Sequence, residues 1–371
     1  MAAEDNVLSF SAIRGVQAGR EYYGAMCPLR VVAKFFIFDE EDIAPELRAQ
    51  RTINRSRVPE LVRYIVDNPK DYIFSSITAS IDGKVRFKPL TEEGVGRNLG
   101  QLFVPMTARF LVNDGQHRRA AIEEAVKERP ELGDETISVV FFHDAGLKRS
   151  QQMFADLNRH AIRPTKSLGI LYDHRDPLSL LARDITDEVP FFAGLTETEK
   201  TTISHRSNKL HTLSSIYQAT KKLLSKPKRT KVSESERNLA ISFWQEVGSH
   251  VPDWTLAAEK KVGCAELRRE YIHAHGIALQ SIAGMGASLL AEEPKNWKRR
   301  LKPISDINWR RTNPEWDGRA IVAGKISKAL NNVVLTTCFL KQHVGLPLNA
   351  MEQQAETRFQ RSRHAKNRPR P

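Results

Sequence analysis

Apolar and polar positions fall into short blocks along the first half of the chain, and the blocks switch period. Leu29–Phe38 is β-branched and aromatic and predicts a strand. Residues 43–68 predict a helix in two pieces. In the second piece Val58, Leu61, Val62 and Ile65 recur at helical spacing, and Asn68-Pro69 ends it. Tyr72–Ile81 alternates as a strand, Asp82-Gly83 marks a turn, and Lys84–Phe87 predicts a returning strand. Phe110–Val112 and Ile137–Phe142 predict strands on either side of an Ala-rich helix. Strands interleaved with helices predict an α/β (α+β) domain. Past residue 195 the strand signals fade. Thr212–Leu224 is an amphipathic helix, and residues 235–251, 264–290 and 320–344 also read as helices, although Val333–Thr337 is β-rich. After Glu356 cations crowd and periodicity stops, which predicts a disordered basic tail. The resulting organisation is an N-terminal arm (1–20), an α/β domain (21–195), a mainly helical basic domain (196–356) and the tail (357–371).

Charge changes this picture more than composition does. The 371 residues carry a formal net charge of +13. Residues 1–195 hold 26 Lys+Arg against 28 Asp+Glu, whereas residues 196–371 hold 31 against 16. The whole excess therefore sits in the helical half, which predicts a polyanionic partner bound through salt-sensitive phosphate contacts. No apolar run approaches a membrane span, and the start Met1-Ala2-Ala3-Glu4-Asp5 is acidic, unlike a secretory leader. A cytoplasmic protein without a membrane partner is expected. Cys27, Cys264 and Cys338 lie far apart without paired spacing, so buried reduced thiols are expected and no metal site or disulfide framework is predicted.

The most informative segment is Asp114-Gly115-Gln116-His117-Arg118, followed by Arg119. A strand runs into an Asp-Gly turn and a helix leaves it, with Asp114 expected as the N-cap. His117, Arg118 and Arg119 then occupy a first turn that normally favours acidic residues. An anion such as a phosphate at that point would reconcile the charges. Ala121, Ile122, Ala125 and Val126 form the apolar stripe. Arg118 lies four residues before Ile122 and His117 four before Ala121, so both point along the seam between helix and sheet. Two readings stay open. Asp114, Gly115, Gln116, His117, Arg118 and Arg119 line a nucleotide or phosphate cleft, or Arg118 pairs with a carboxylate and His117 serves a core hydrogen bond.

Further cations surround this picture. A helix ends near Asn158, which either closes the turn in a left-handed conformation or aims a polar side chain at the same cleft. Arg159, His160, Arg163 and Lys166 follow, and Arg51, Arg55 and Arg57 precede the motif beside Ser56. Lys228 and Arg229 sit in a basic loop. Trp297-Lys298-Arg299-Arg300 and Trp309-Arg310-Arg311, with Trp316 beyond, interleave aromatic and basic residues. They suit a nucleic-acid surface on which the rings stack, or amphipathic elements whose Trp rings face the core while the cations snorkel. The candidate DNA contacts are Arg159, Arg163, Lys166, Lys228, Arg229, Lys298, Arg299, Arg300, Arg310 and Arg311. No phosphate-binding P-loop, nucleophile elbow, zinc-protease helix or paired-Cys site occurs. ATP or another nucleoside triphosphate would have to be held by the motif helix itself.

Six segments, in order, carry a family resemblance. They are Met26–Arg30, Phe38–Glu41 with Arg48–Arg51, Ile77–Gly83, Asp114–Arg119, Met153–Asn158, and Asn308-Trp309 with Asn313–Trp316. The set resembles the DndB family, the DGQHR-domain proteins of bacterial DNA phosphorothioation (sulfur modification) clusters. That resemblance implies a cytoplasmic negative transcriptional regulator that binds double-stranded promoter DNA. A homo-oligomer would suit a symmetric operator. The DGQHR module is also similar to the ParB/sulfiredoxin superfamily, which implies that fold for the first half and phosphate contacts at Gly115, His117, Arg118 and Arg119. Gln116 stands where sulfiredoxin needs a reactive Cys, so sulfinic-acid reduction is not implied. Two alternatives remain beside the repressor. One is a ParB-like nucleotide hydrolase in which Asp114 or Asn158 orients a water or metal. The other is an accessory subunit docking the sulfur-modification proteins of the same cluster. A nucleotide could also gate DNA binding by favouring one conformation.

Overall fold

The structure, a computed structural model, describes residues 7–36, 55–143, 152–153, 156–157 and 164–366. Its contacts divide the chain into two compact units, Met1–Ile162 and Arg163–Pro371.

The first unit is built on a mixed sheet of β1 (Val7–Gln17), β2 (Arg20–Pro28), β3 (Ile77–Asp82), β4 (Arg86–Pro89), β5 (Leu99–Pro105), β6 (Arg109–Asp114) and β7 (Thr136–His143). The order is β4-β5-β1-β2-β7-β3-β6. Neighbours are antiparallel except β3 and β7, which run parallel. Alternate residues point into one core: Phe10 and Ala12, Tyr23, Ala25 and Cys27, Leu102 and Val104, Ile137, Val139 and Phe141. Ile13 and Met26, on the opposite face, stay exposed. The helices Leu29–Phe35, Val58–Val66 and Gln116–Glu128 share the same core, and Gln116–Glu128 packs on the other two. Every residue of Ile77–Ile81 is buried, as suits an interior strand flanked by β7 and β6.

Several elements differ from the sequence reading. Residues from Val7 onward are not an arm but an interior strand of the sheet, paired on both sides. Leu29–Phe35 is a helix where a strand was expected. β2 has already ended at Pro28, and Leu29, Val32 and Phe36 then bury one helical face. Packing overrides β-propensity here, because that propensity mostly measures fit to a pleated surface. Strand pairing starts at Ile77 rather than Tyr72, and β4 pairs with β5 instead of returning on β3. The first helical piece before residue 55 lies outside the described residues.

The second unit is mainly helical. Lys166–Tyr172, Pro177–Glu188, Leu213–Leu223, Glu234–Ser249, Pro252–Ala258, Cys264–Glu270, Gly276–Glu292, Trp297–Leu301, Leu330–His343 and Ala350–Lys366 are joined by two short strand pairs. These are β8 (Thr196–Glu197) with β9 (His211–Thr212), and β10 (Ile321–Val322) with β11 (Lys325–Ile326). Gly276–Glu292 is its axis. It buries Ile277, Leu279, Ile282, Met285 and Leu289 and packs on Leu213–Leu223 and Leu330–His343. A helix apolar on most sides is a core helix.

Here too the boundaries shift. Leu178, Leu181 and Ile185 share a core with Leu213 and Ile216, so the division falls at Ile162/Arg163 and not after residue 195. The stretch 264–290 is two helices broken at Tyr271, whose backbone bridges Arg310. Residues 321–326 form a strand pair ahead of the Leu330–His343 helix, and Val333–Thr337 is helical. The expected disorder after Glu356 is replaced by helix as far as Lys366. Among the described residues no helix is long and apolar enough to cross a membrane. Cys27, Cys264 and Cys338 are free and buried.

Candidate functional site

The motif forms a strand–glycine–helix junction. β6 ends at Asp114, Gly115 turns the chain with φ 102° and ψ 17°, and the helix begins at Gln116. Only glycine adopts that backbone without strain. A Cβ there would also lie 3.0 Å from Ile77 Cγ1 and 3.2 Å from Arg118 Nη2. Asp114 is therefore not the N-cap. It sits in the β3–β6 register opposite Thr78, and its carboxylate meets Arg118 Nη2 at 2.6 Å.

The remaining motif side chains are bonded inward. Arg118, 15% exposed, donates from Nη1 to the carbonyls of Ser75 at 2.6 Å and Ser76 at 2.9 Å, and to the Ser75 hydroxyl. It ties the motif helix to the segment that leads into β3. Arg119 donates to the Ala33 carbonyl at 3.1 Å and pairs with Glu123 at 2.7 Å. Buried Gln116 donates to the carbonyls of Val112 at 3.3 Å and Asn113 at 3.2 Å, closing the junction. Asn113, a fully buried residue not singled out from the sequence, donates to Ser80 Oγ at 2.6 Å. For Arg118 the geometry is that of the carboxylate-pair reading.

At the mouth of the junction are half-buried His117 and exposed Arg57, from the turn Arg55–Arg57. Burial and the positive charge of Arg57 hold the His117 imidazole below its ordinary value. Among the described residues no side chain caps the first turn of Gln116–Glu128. His117, Arg57 and these N–H groups give the junction an electropositive mouth. Asn158, Arg159, Arg163 and Arg51 lie outside the described residues.

Arg118→Ala is expected to destabilise the first unit by about 1–2 kcal/mol, because it removes the ion pair with half-exposed Asp114 and the bonds to the Ser75 and Ser76 carbonyls at once. Arg118→Lys should recover only part, since an ammonium cannot span the same fork of acceptors. Urea unfolding of both variants reads the difference. Parental stability in Arg118→Ala would release the residue from this structural role.

In the second unit Lys166, Lys228, Arg229, Lys298, Arg299 and Arg310 are exposed. Arg300 and Arg311 are half-buried. Arg300 pairs with Glu293 at 3.2 Å and donates to the Gly345 carbonyl, while Arg311 donates to the carbonyls of Arg269 and Gly324. Trp297, Trp309 and Trp316 are buried, so the base-stacking reading of these rings is corrected to the snorkelling one. Trp309 stacks on Trp316 at 5.2 Å, and Lys298 lies over Trp297 and Arg310 over Tyr271. The Ala350–Lys366 helix adds exposed Arg358 and Arg361, which fall in the segment expected to be a disordered tail. Their three-residue spacing was the available signal. Among the described residues no group of His, Cys, Asp and Glu is arranged to hold a metal.

Comparison with known protein families gives a match over most of the chain. The family model for DndB, described as DNA-sulfur modification-associated, covers residues 10–347. Neither a curated protein nor a solved structure matches the chain. The matched span runs from β1 through the motif junction and most of the helical unit, ending before Ala350–Lys366. The chain therefore belongs to the DndB family of DNA-sulfur modification-associated proteins.

Proposed function

We propose that this chain is a DNA-binding negative transcriptional regulator of a DNA phosphorothioation gene cluster, holding duplex promoter DNA through its second unit. One observation carries the reading: residues 163–371 hold 35 Lys+Arg against 21 Asp+Glu. Among the described residues no carboxylate lies within salt-bridge distance of Lys298, Arg299 or Arg310. Exposed cations without a salt-bridge partner on a helical frame release counterions from a duplex when they meet its phosphates. Family membership supplies the DNA-modification context. A symmetric homo-oligomer would present two such surfaces to a two-fold operator.

Fluorescence anisotropy across a salt series tests this. Duplex DNA from upstream of the protein's own gene cluster should bind at least about tenfold tighter than a scrambled duplex, a margin of about 1.4 kcal/mol. Equal, steeply salt-dependent binding to both would leave a basic surface without an operator and end the repressor reading.

A further inference from the structure

The second unit encloses a cavity of about 410 Å³, within the range of small-molecule sites. It opens at the N-terminal ends of Leu213–Leu223 and Gly276–Glu292, and His211, Ser215, Arg268, His275, Arg311 and Lys328 line it. Among the described residues no carboxylate does. Gly276–Glu292 has no acidic residue in its first turn and, among the described residues, no side-chain cap. A Cβ at Gly276 would overlap the Ser215 hydroxyl, so glycine lets that hydroxyl approach the helix end.

His211 is the telling group. It is 2% exposed, and among the described residues neither ring nitrogen has a hydrogen-bond partner. Phe192 and Trp254 hold its ring edge-on at 5.6 and 5.5 Å. The neighbouring histidines are satisfied. His273 Nδ1 accepts from Trp254 Nε1 at 3.1 Å and its Nε2 meets Asp253 at 2.9 Å, while His275 Nε2 bonds the Arg268 carbonyl at 2.7 Å. An imidazole buried without partners costs desolvation of both nitrogens, and such a group calls for a ligand. Burial, with the charges of His273, His275 and Arg268, holds His211 well below its ordinary value. It therefore stays neutral and offers one N–H and one lone pair.

The cations here are neutralised by dipoles, not by acids. Arg268 donates to the carbonyls of Lys209, Ser204 and Ser207, which orders the loop whose Thr201, Thr202 and His205 complete the wall. Arg311 likewise bonds only carbonyls among the described residues. Lys328 is exposed at the rim.

We infer that this cavity binds a small phosphorylated molecule of nucleotide size. Its phosphate lies at the N-terminus of Gly276–Glu292 beside Arg268, Arg311 and Lys328, and an uncharged polar group pairs with His211. The helix end and the cations favour the anion. The inference uses residues distinct from the Asp114–Arg119 junction and does not depend on the repressor reading.

Isothermal titration of the full chain with inorganic phosphate, AMP and ATP tests it. At least one probe should saturate a single site per chain at or below the millimolar range. Lys328→Gln, at the exposed rim, should weaken that binding about tenfold. His211→Leu removes both unpaired nitrogens, so it should raise the melting temperature of the unliganded chain while lowering affinity for the probe. A structural histidine would give the opposite stability change. The inference is overturned if no probe saturates, if both variants bind as the parent does, or if a short DNA duplex competes with phosphate for the site.

Discussion

Charge reversal of Lys298, Arg299 and Arg310 together, each to Glu, is expected to weaken DNA binding on the order of a hundredfold at moderate salt. The slope of log affinity against log salt should flatten by about one for each phosphate that is no longer neutralised. These three residues are exposed, and among the described residues none forms a salt bridge. Their removal should leave folding within the small range usual for surface changes. Arg300 and Arg311 are left intact because their bonds to Glu293, Gly345 and Gly324 hold the fold. Anisotropy titrations beside a thermal melt separate the two effects. Unchanged affinity in a folded variant would move the DNA surface elsewhere, and the exposed Arg358 and Arg361 become the next positions to reverse.

Glu356→Ala is expected to cost about 3–5 kcal/mol of stability, the range for stripping one partner from a buried ion pair. Arg319 is 2% exposed and meets Glu356 through two parallel bonds of 2.6 Å each. Its guanidinium also donates to the Leu335 carbonyl and sits over the rings of Phe359 and Phe339. Burial by itself pushes the Glu356 carboxyl up. The bonds from Arg319 and Gln360, with the charges of Arg319 and Arg363, outweigh burial and hold it below its ordinary 4.5. A folded-state value below the unfolded one means the contribution is complete above pH 4.5. It is lost as pH falls from there through the lowered value. Urea unfolding at neutral pH, then down an acid series, should show the parent's advantage over Glu356→Ala shrinking with acid. A variant as stable as the parent would undock the C-terminal helix from this pair.

The residues behind these two effects differ in how far the sequence shows them. The cations of the first are plain in the sequence, because their clustering needs no partner to be recognised. The pair of the second is not. Ala350–Lys366 carries polar residues on most positions, so no apolar period announces it, and what holds it is a charge buried on a distant segment. The same contrast runs through the motif. Strand, glycine and helix follow from local pattern, and the buried positions Ala121, Ile122 and Ala125 fall where helical spacing puts them. Whether Arg118 meets an external anion or the protein's own acceptors stayed open, because Ser75 and Ser76 reach it only through the β3–β6 pairing.

What the sequence alone determined were the properties written in neighbouring residues: the mixed α/β first half, the helical basic second half, the Gly115 turn and the order of family segments. Tertiary structure decided the rest. It made a helix of Leu29–Phe35 against β-propensity, because burying one face of Leu29, Val32 and Phe36 outweighs a weak backbone preference. It turned the tryptophans inward and brought His211, Arg268, Gly276, Arg311 and Lys328 around one cavity. Those residues share no spacing along the chain. Burial and charge proximity exist only once the helices have packed, and no local period encodes which distant groups will then be left without partners.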